Sequence, residues 1–259
     1  MSFLCKIFHI GCAAIPTPKP VPTVIIETPA PQTSGDLNSL MLAASTSTCA
    51  KFNFPERGTA PKGFIKGIAL SYAREVCFPS KAVNAPLGSA DKDALAHYEV
   101  AATSANVYAL MVGSAMRESS GKWCCGKDAS ASNSGADTAE SGIWQTSFNS
   151  RVASPELITI FNDYKTNPHN CFIVYKEGIT CSAANLKNWG SGDGYTFQKM
   201  AKECPAFSAS FAAVTFRTLR KHYGPLNSRA ALLRPECVNM FNSVAITVKD
   251  NPKLCAELK

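Results

Sequence analysis

Val107, Leu110, Met111 and Ala115 recur at i, i+3, i+4 and i+8, which marks one face of a helix, and Glu118 falls at i+11 on that same face. No other feature constrains the fold as strongly. A carboxylate that continues an apolar stripe has to give up water when the stripe is buried. The expected response is a raised pKa and a proton retained near neutral pH, the state a general acid needs. Residues 116–149 then run through a polar Gly/Ser/Asn loop into Ser141-Gly142-Ile143-Trp144-Gln145.

Around that helix the chain reads as helix after helix. Asp36 is placed to cap a first helix through Ala44, and a second is expected over 62–77, with Phe64, Ile65, Ile68, Ala69 and Tyr72 on one side. A further helix is expected over 91–100. Thr103 or Ser104 caps the helix leading to Glu118, and Gly121 with the polar loop 125–138 ends it. Residues 140–150 are expected to be helical. Ser154-Pro155-Glu156 reads as a cap with proline at the first helical position. A short strand is expected at 172–175, a short helix at 181–189 and a glycine-rich loop at 188–195. A strong helix runs over 205–222, and a last one follows Pro235. With no alternating strand series, the fold class is predominantly α.

The N-terminal part differs in kind. Residues 1–15 form a short apolar tail broken by Lys6 and His9, in which His9-Ile10-Gly11-Cys12 resembles a lipoprotein cleavage box with His9 where an aliphatic residue is expected. Six prolines (Pro16, Pro18, Pro20, Pro22, Pro29, Pro31) make 16–34 an extended linker. One folded domain is expected over 35–259, with the tail available for a membrane-surface or assembly contact.

The chain carries eleven cysteines, nine of them in the body, and they are dispersed with no Cys-x-x-Cys knuckles. That pattern argues against a metal site and for disulfides in an oxidising compartment, periplasmic or secreted, with one cysteine left over. Cys171 with Cys181, and Cys204 with Cys237 or Cys255, are the expected pairs. The net charge of +7 suits an anionic partner such as a cell-wall polymer. No basic run with interleaved aromatics points to nucleic acid.

Glu118-Ser119-Ser120, a loop, and Ser141-Gly142-Ile143-Trp144-Gln145 resemble the signature of the lysozyme-like superfamily, closest to the soluble lytic transglycosylases and goose-type lysozymes. The later 188–195 segment is similar to the Asn-Ala-Gly-x-Gly segment of those enzymes, again followed by an amphipathic helix. The resemblance covers roughly 104–223. Ile143-Trp144 stands where Leu-Met is usual, Trp189-Gly190 replaces Ala-Gly, and the loop holding Cys124 and Cys125 is longer.

The resemblance implies a helical domain with a substrate cleft. It also implies cleavage of the β-1,4 bond between N-acetylmuramic acid and N-acetylglucosamine in peptidoglycan, by a monomer without cofactor or metal. Glu118 would be the acid. Ser119, Ser141, Gly142 and Gln145 would line the substrate on one side, with Asn188 and Tyr195 on the opposing wall. An inverting hydrolase needs a base roughly 6.5–9.5 Å from the acid, and Asp137 is the first candidate, ahead of Asp128 and Glu140. Lytic transglycosylases lack that base and let the substrate's own hydroxyl attack. A chitinase or chitosanase-like enzyme, a silent glycan-binding module, and a cysteine peptidase built on Cys124 or Cys125 with His169 are the alternatives.

Overall fold

The computed structural model describes residues 36–84, 94–127, 135–167, 170–218 and 229–259. The tail, the proline linker, the start of the 91–100 helix, Asp128, His169 and His222 lie outside them. Asp36 caps α1 (Leu37–Thr46), its carboxylate accepting the Ser39 N–H at 2.7 Å. After α2 (Thr48–Lys51) comes a hairpin, β1 (Asn53–Phe54) against β2 (Gly58–Thr59). Its strands are two residues each, too short to leave an alternating pattern in the sequence.

α3 (Lys62–Cys77) has the bounds its periodicity predicts. Short helices α4 (Lys81–Asn84) and α5 (Ala94–His97) lead to α6 (Ser104–Ser119), where the Thr103 hydroxyl accepts the Asn106 N–H at 3.2 Å. Every residue from 107 to 116 is buried, so the four-residue stripe understates the helix. α6 is apolar on all sides because α3, α10 (Pro205–Thr218) and α11 (Pro235–Asp250) pack around it. α7 (Pro155–Thr166) begins as expected, with the Ser154 hydroxyl accepting the Glu156 N–H and Pro155 in the first turn. α8 (Ala183–Leu186), α9 (Gly192–Glu203) and α12 (Leu254–Glu257) complete the described helices. The class is predominantly α.

Three local expectations fail for backbone reasons. Residues 140–150 are not a helix. Gly142 has φ +77° and Gln145 φ +46°, both left-handed, and Ser141 pairs with Thr146 through its N–H at 2.9 Å. A 3-10 turn, Phe148–Ala153, follows. Residues 172–175 are not a strand, because Phe172 sits at φ +47° and opens a 3-10 turn over Ile173–Lys176. The 188–195 loop is shorter than expected, because α9 starts at Gly192 and takes Tyr195 into its first turn.

The body holds four disulfides, Cys49–Cys237, Cys77–Cys255, Cys124–Cys181 and Cys171–Cys204, with Cys125 free. They indicate an oxidising compartment. The expected Cys171–Cys181 pair is wrong, and Cys204 joins neither Cys237 nor Cys255. The 3-10 turn carries the chain along α3, where Glu177 pairs with Lys66 at 2.8 Å. That path delivers Cys181 to the loop after α6 and leaves Cys171 beside the end of α9.

Candidate active site

The site begins where α6 stops. Ser120 takes a left-handed conformation at φ +53°. Its N–H donates back to Met116 O at 3.1 Å, and the Gly121 N–H donates to Ala115 O at 3.1 Å. This tight closure fixes the last turn, and with it Glu118. Burial pushes the Glu118 carboxyl up to about 7, and the charge of Glu140 pushes the same way against Arg117 and Arg57. Arg57, in the hairpin turn, and Arg117, which pairs with Glu56 at 3.1 Å, both favour the ionised form. Desolvation outweighs them, as the apolar stripe anticipates. No hydrogen bond or ion pair holds Glu118 among the described residues.

Ser119, Ser141, Gly142 and Gln145 are brought together, and their polar groups are bonded to backbone carbonyls of the fold. Ser119 is buried, and its hydroxyl donates to Ile143 O at 2.7 Å, tying α6 to the 141–146 turn. The Ser141 hydroxyl donates to Gln198 O at 3.1 Å on α9. The Gly142 N–H donates to Cys125 O at 2.8 Å, and Gln145 Nε2 donates to Gly142 O at 2.9 Å. A Cβ at Gly142 would lie 2.8 Å from Ala201 O on α9, so glycine is required both by its φ and by close backbone packing. Trp144 is buried and donates its indole N–H to Met111 O at 2.9 Å. These residues are the frame under the acid.

The two carboxylate candidates separate. Asp137 is half-exposed and faces Arg151 at 3.5 Å, and it is not among the charges that act on Glu118. Glu140, which the sequence ranks with Asp128 behind Asp137, is the carboxylate whose charge reaches Glu118. Its signal was position: it immediately precedes the Ser141-Gly142 turn whose closure holds it there.

α9 contributes a residue with no sequence signal, Gln198. Its buried amide oxygen accepts the Trp189 N–H at 2.9 Å, and its Nε2 donates to Ala136 O at 3.0 Å, Trp189 O at 3.1 Å and Gly194 O at 3.2 Å. One side chain thus clamps Trp189 and the segment leading to Glu140. Lys202 Nζ donates to Lys187 O at 2.9 Å and to two carbonyls of α8, holding the approach to that segment. Trp189 is 38% exposed, with the ammoniums of Lys127 and Lys187 at 5.0 and 4.9 Å from its ring centroid. Asn188 Oδ1 is buried with no hydrogen-bond partner among the described residues, and Tyr195 is exposed.

A cysteine peptidase does not fit. Cys124 is in a disulfide, and burial pushes the Cys125 thiol up, away from the thiolate a nucleophile needs. Among the described residues no group of three His, Cys, Asp or Glu is placed to hold a metal ion. Comparison with protein-family models, with curated proteins and with solved structures finds no match to this chain.

Proposed function

We propose that the chain is a glycosidase that cleaves the N-acetylmuramic acid to N-acetylglucosamine bond of peptidoglycan, working in the periplasm or outside the cell. The observation that carries this reading is Glu118. It is a carboxyl at the end of a buried helix, pushed up to about 7, with no donor to stabilise its anion and with a second carboxylate, Glu140, adding to the shift. That environment keeps a proton available at neutral pH and delivers it to a glycosidic oxygen, turning the departing sugar into a neutral alcohol. Glu140 then either takes the proton of an attacking water or acts as a fixed negative charge beside the oxocarbenium-like centre. In the transglycosylase variant the substrate's own hydroxyl attacks, and an anhydro ring closes.

The segment clamped by Gln198 carries groups that suit a sugar polymer. Trp189 offers a partly exposed ring for stacking on a sugar face. Lys127 and Lys187 suit the carboxylates of the wall polymer.

The test is digestion of purified peptidoglycan by wild type and Glu118→Gln, with soluble products read by mass spectrometry. Wild type releases muropeptides, and the variant loses roughly 10²–10⁴ in rate. Anhydro ends identify the transglycosylase and reducing ends the hydrolase. Equal turnover by Glu118→Gln, or release of chito-oligosaccharides with none from the wall, overturns the reading.

A further inference from the structure

A second buried carboxyl lies far along the chain from Glu118. Glu75, in the last turn of α3, is 9% exposed and lines a cavity of about 470 Å³ bounded by α3, α7 and α10. Its Oε1 accepts both the Ser80 N–H at 2.9 Å and the Asn84 amide at 2.8 Å. Its Oε2 accepts nothing among the described residues. The facing wall comes from one side of α7, where Glu156, Ile160, Asp163 and Tyr164 recur at helical spacing. Phe78 and Val83 add apolar surface.

We infer that this cavity is a binding site for an aliphatic amine, with Glu75 Oε2, Glu156 and Asp163 as the acceptors of its ammonium and Phe78, Val83 and Ile160 as the seat of its carbon chain. Arg74, the cation next to Glu75 in the chain, does not compete for that place. Arg74 turns its guanidinium onto Tyr164 Oη, Asn170 O, Ala206 O and Ser210 Oγ, stacked over the Phe172 ring at 4.8 Å. Its donors are used inside the fold. The C-terminal residue, Lys259, also borders the cavity. No trio of ligating side chains is spaced for a metal ion among the described residues. The cation that fits is therefore one with an apolar body, large enough to fill several hundred Å³.

The site is independent of the glycosidase reading, and its test is kept separate. Isothermal titration at pH 8 compares 1,6-diaminohexane with the uncharged 1,6-hexanediol, on wild type, Glu75→Gln, the double variant Glu156→Gln/Asp163→Asn, and Glu118→Gln. The expected result is one saturable site for the diamine and none for the diol, weakened about tenfold or more in Glu75→Gln and in the double variant, each of which loses a close charge partner. Glu118→Gln should bind like wild type. The double variant changes only half-exposed or exposed side chains of α7, so it stays informative if Glu75→Gln misfolds. Absence of saturation, equal binding of the diol, unchanged affinity in the cavity variants, or loss of binding in Glu118→Gln each overturns the assignment.

Discussion

Glu75 and Glu118 occupy matching places and are built to opposite ends. Each stands near the C-terminal end of a sixteen-residue helix, where the helix dipole disfavours a carboxylate. Burial is the first cause of the shift in both, and both carboxyls are pushed up to about 7. At Glu75 the burial is opposed by the Ser80 N–H, the Asn84 amide and the charge of Arg74, while the charge of Glu156 adds to it. At Glu118 no hydrogen bond among the described residues opposes it, and Glu140 adds to it as Glu156 does at Glu75. One setting is furnished to receive an anion that burial resists. Among the described residues, the other has the charges of two arginines, Arg57 and Arg117, to favour its anion and no hydrogen bond. A raised pKa alone therefore does not separate the two carboxyls, and the hydrogen bonds around them do.

The largest effect that breaks or sharpens this contrast is on turnover. Glu118→Gln should lose roughly 10²–10⁴ in the rate of peptidoglycan solubilisation, while Glu75→Gln stays within about threefold of wild type, since a remote substitution leaves the charge at the acid unchanged. A comparable loss in both variants would remove the distinction between the two carboxyls.

Next come the disulfides, one near each acid. Cys124–Cys181 joins the loop after α6 to the approach to α8, while Cys77–Cys255 ties the end of α3 to α12. Replacing either pair by serines should cost about 2–5 kcal/mol, measured by denaturant unfolding. Only loss of Cys124–Cys181 should also lower turnover per folded molecule, because the neighbouring Cys125 carbonyl receives both the Gly142 N–H and the Gln145 amide. Equal activity losses would mean that neither bond is specific to the site.

A third test uses pH. A folded pKa of about 7 against an unfolded value near 4.5 means that the folded state holds the proton more tightly. Between those values the native state binds more protons than the unfolded chain, so stability is full below pH 4.5 and falls as pH rises towards 7. Each carboxyl withdraws up to roughly 3 kcal/mol across that window. Glu75→Gln and Glu118→Gln should each flatten the decline and unfold at a higher temperature than wild type at pH 8, with no such gain at pH 4.5. The activity limb of wild type should fall above pH 7 as Glu118 ionises. Glu140→Gln should move that limb to lower pH by less than about one unit, because burial rather than the neighbouring charge is the main cause.

How much of this was legible in the chain follows from the range of the forces. Helix periods, the Asp36, Thr103 and Ser154 caps and the acid on the α6 stripe are local, and they were readable. The 141–146 turn was misread as a helix because its register depends on Gly142 meeting the backbone of Ala201, a contact no local pattern encodes. Disulfide partners were misread because the shortest loop in sequence is not the shortest path in the fold. Gln198 carried no signal, since a buried amide that clamps two distant segments looks like any polar helix residue until those segments are seen beside it. Glu75 was hidden for the same reason: its cavity is assembled from three helices.

The smallest expected effect concerns Asp137, the residue the sequence put forward as the base. Its carboxylate is half-exposed and lies 3.5 Å from a similarly accessible Arg151, a pair worth under about 1 kcal/mol. Its main chain matters more than its charge. The Asp137 carbonyl accepts the Asn149 N–H at 2.9 Å, and the 136–137 backbone packs on Gly194 so closely that a Cβ there would sit 2.5 Å from Ala136 C. Asp137→Asn keeps the backbone, the size and an acceptor oxygen. It should therefore change unfolding free energy by less than about 1 kcal/mol and leave turnover near wild type, whereas Asp137→Pro should disturb the segment that carries Glu140. If Asp137→Asn instead removes hydrolysis while Glu140→Gln retains it, the base is Asp137, and the segment must rotate on binding substrate to bring its carboxylate from Arg151 towards Glu118.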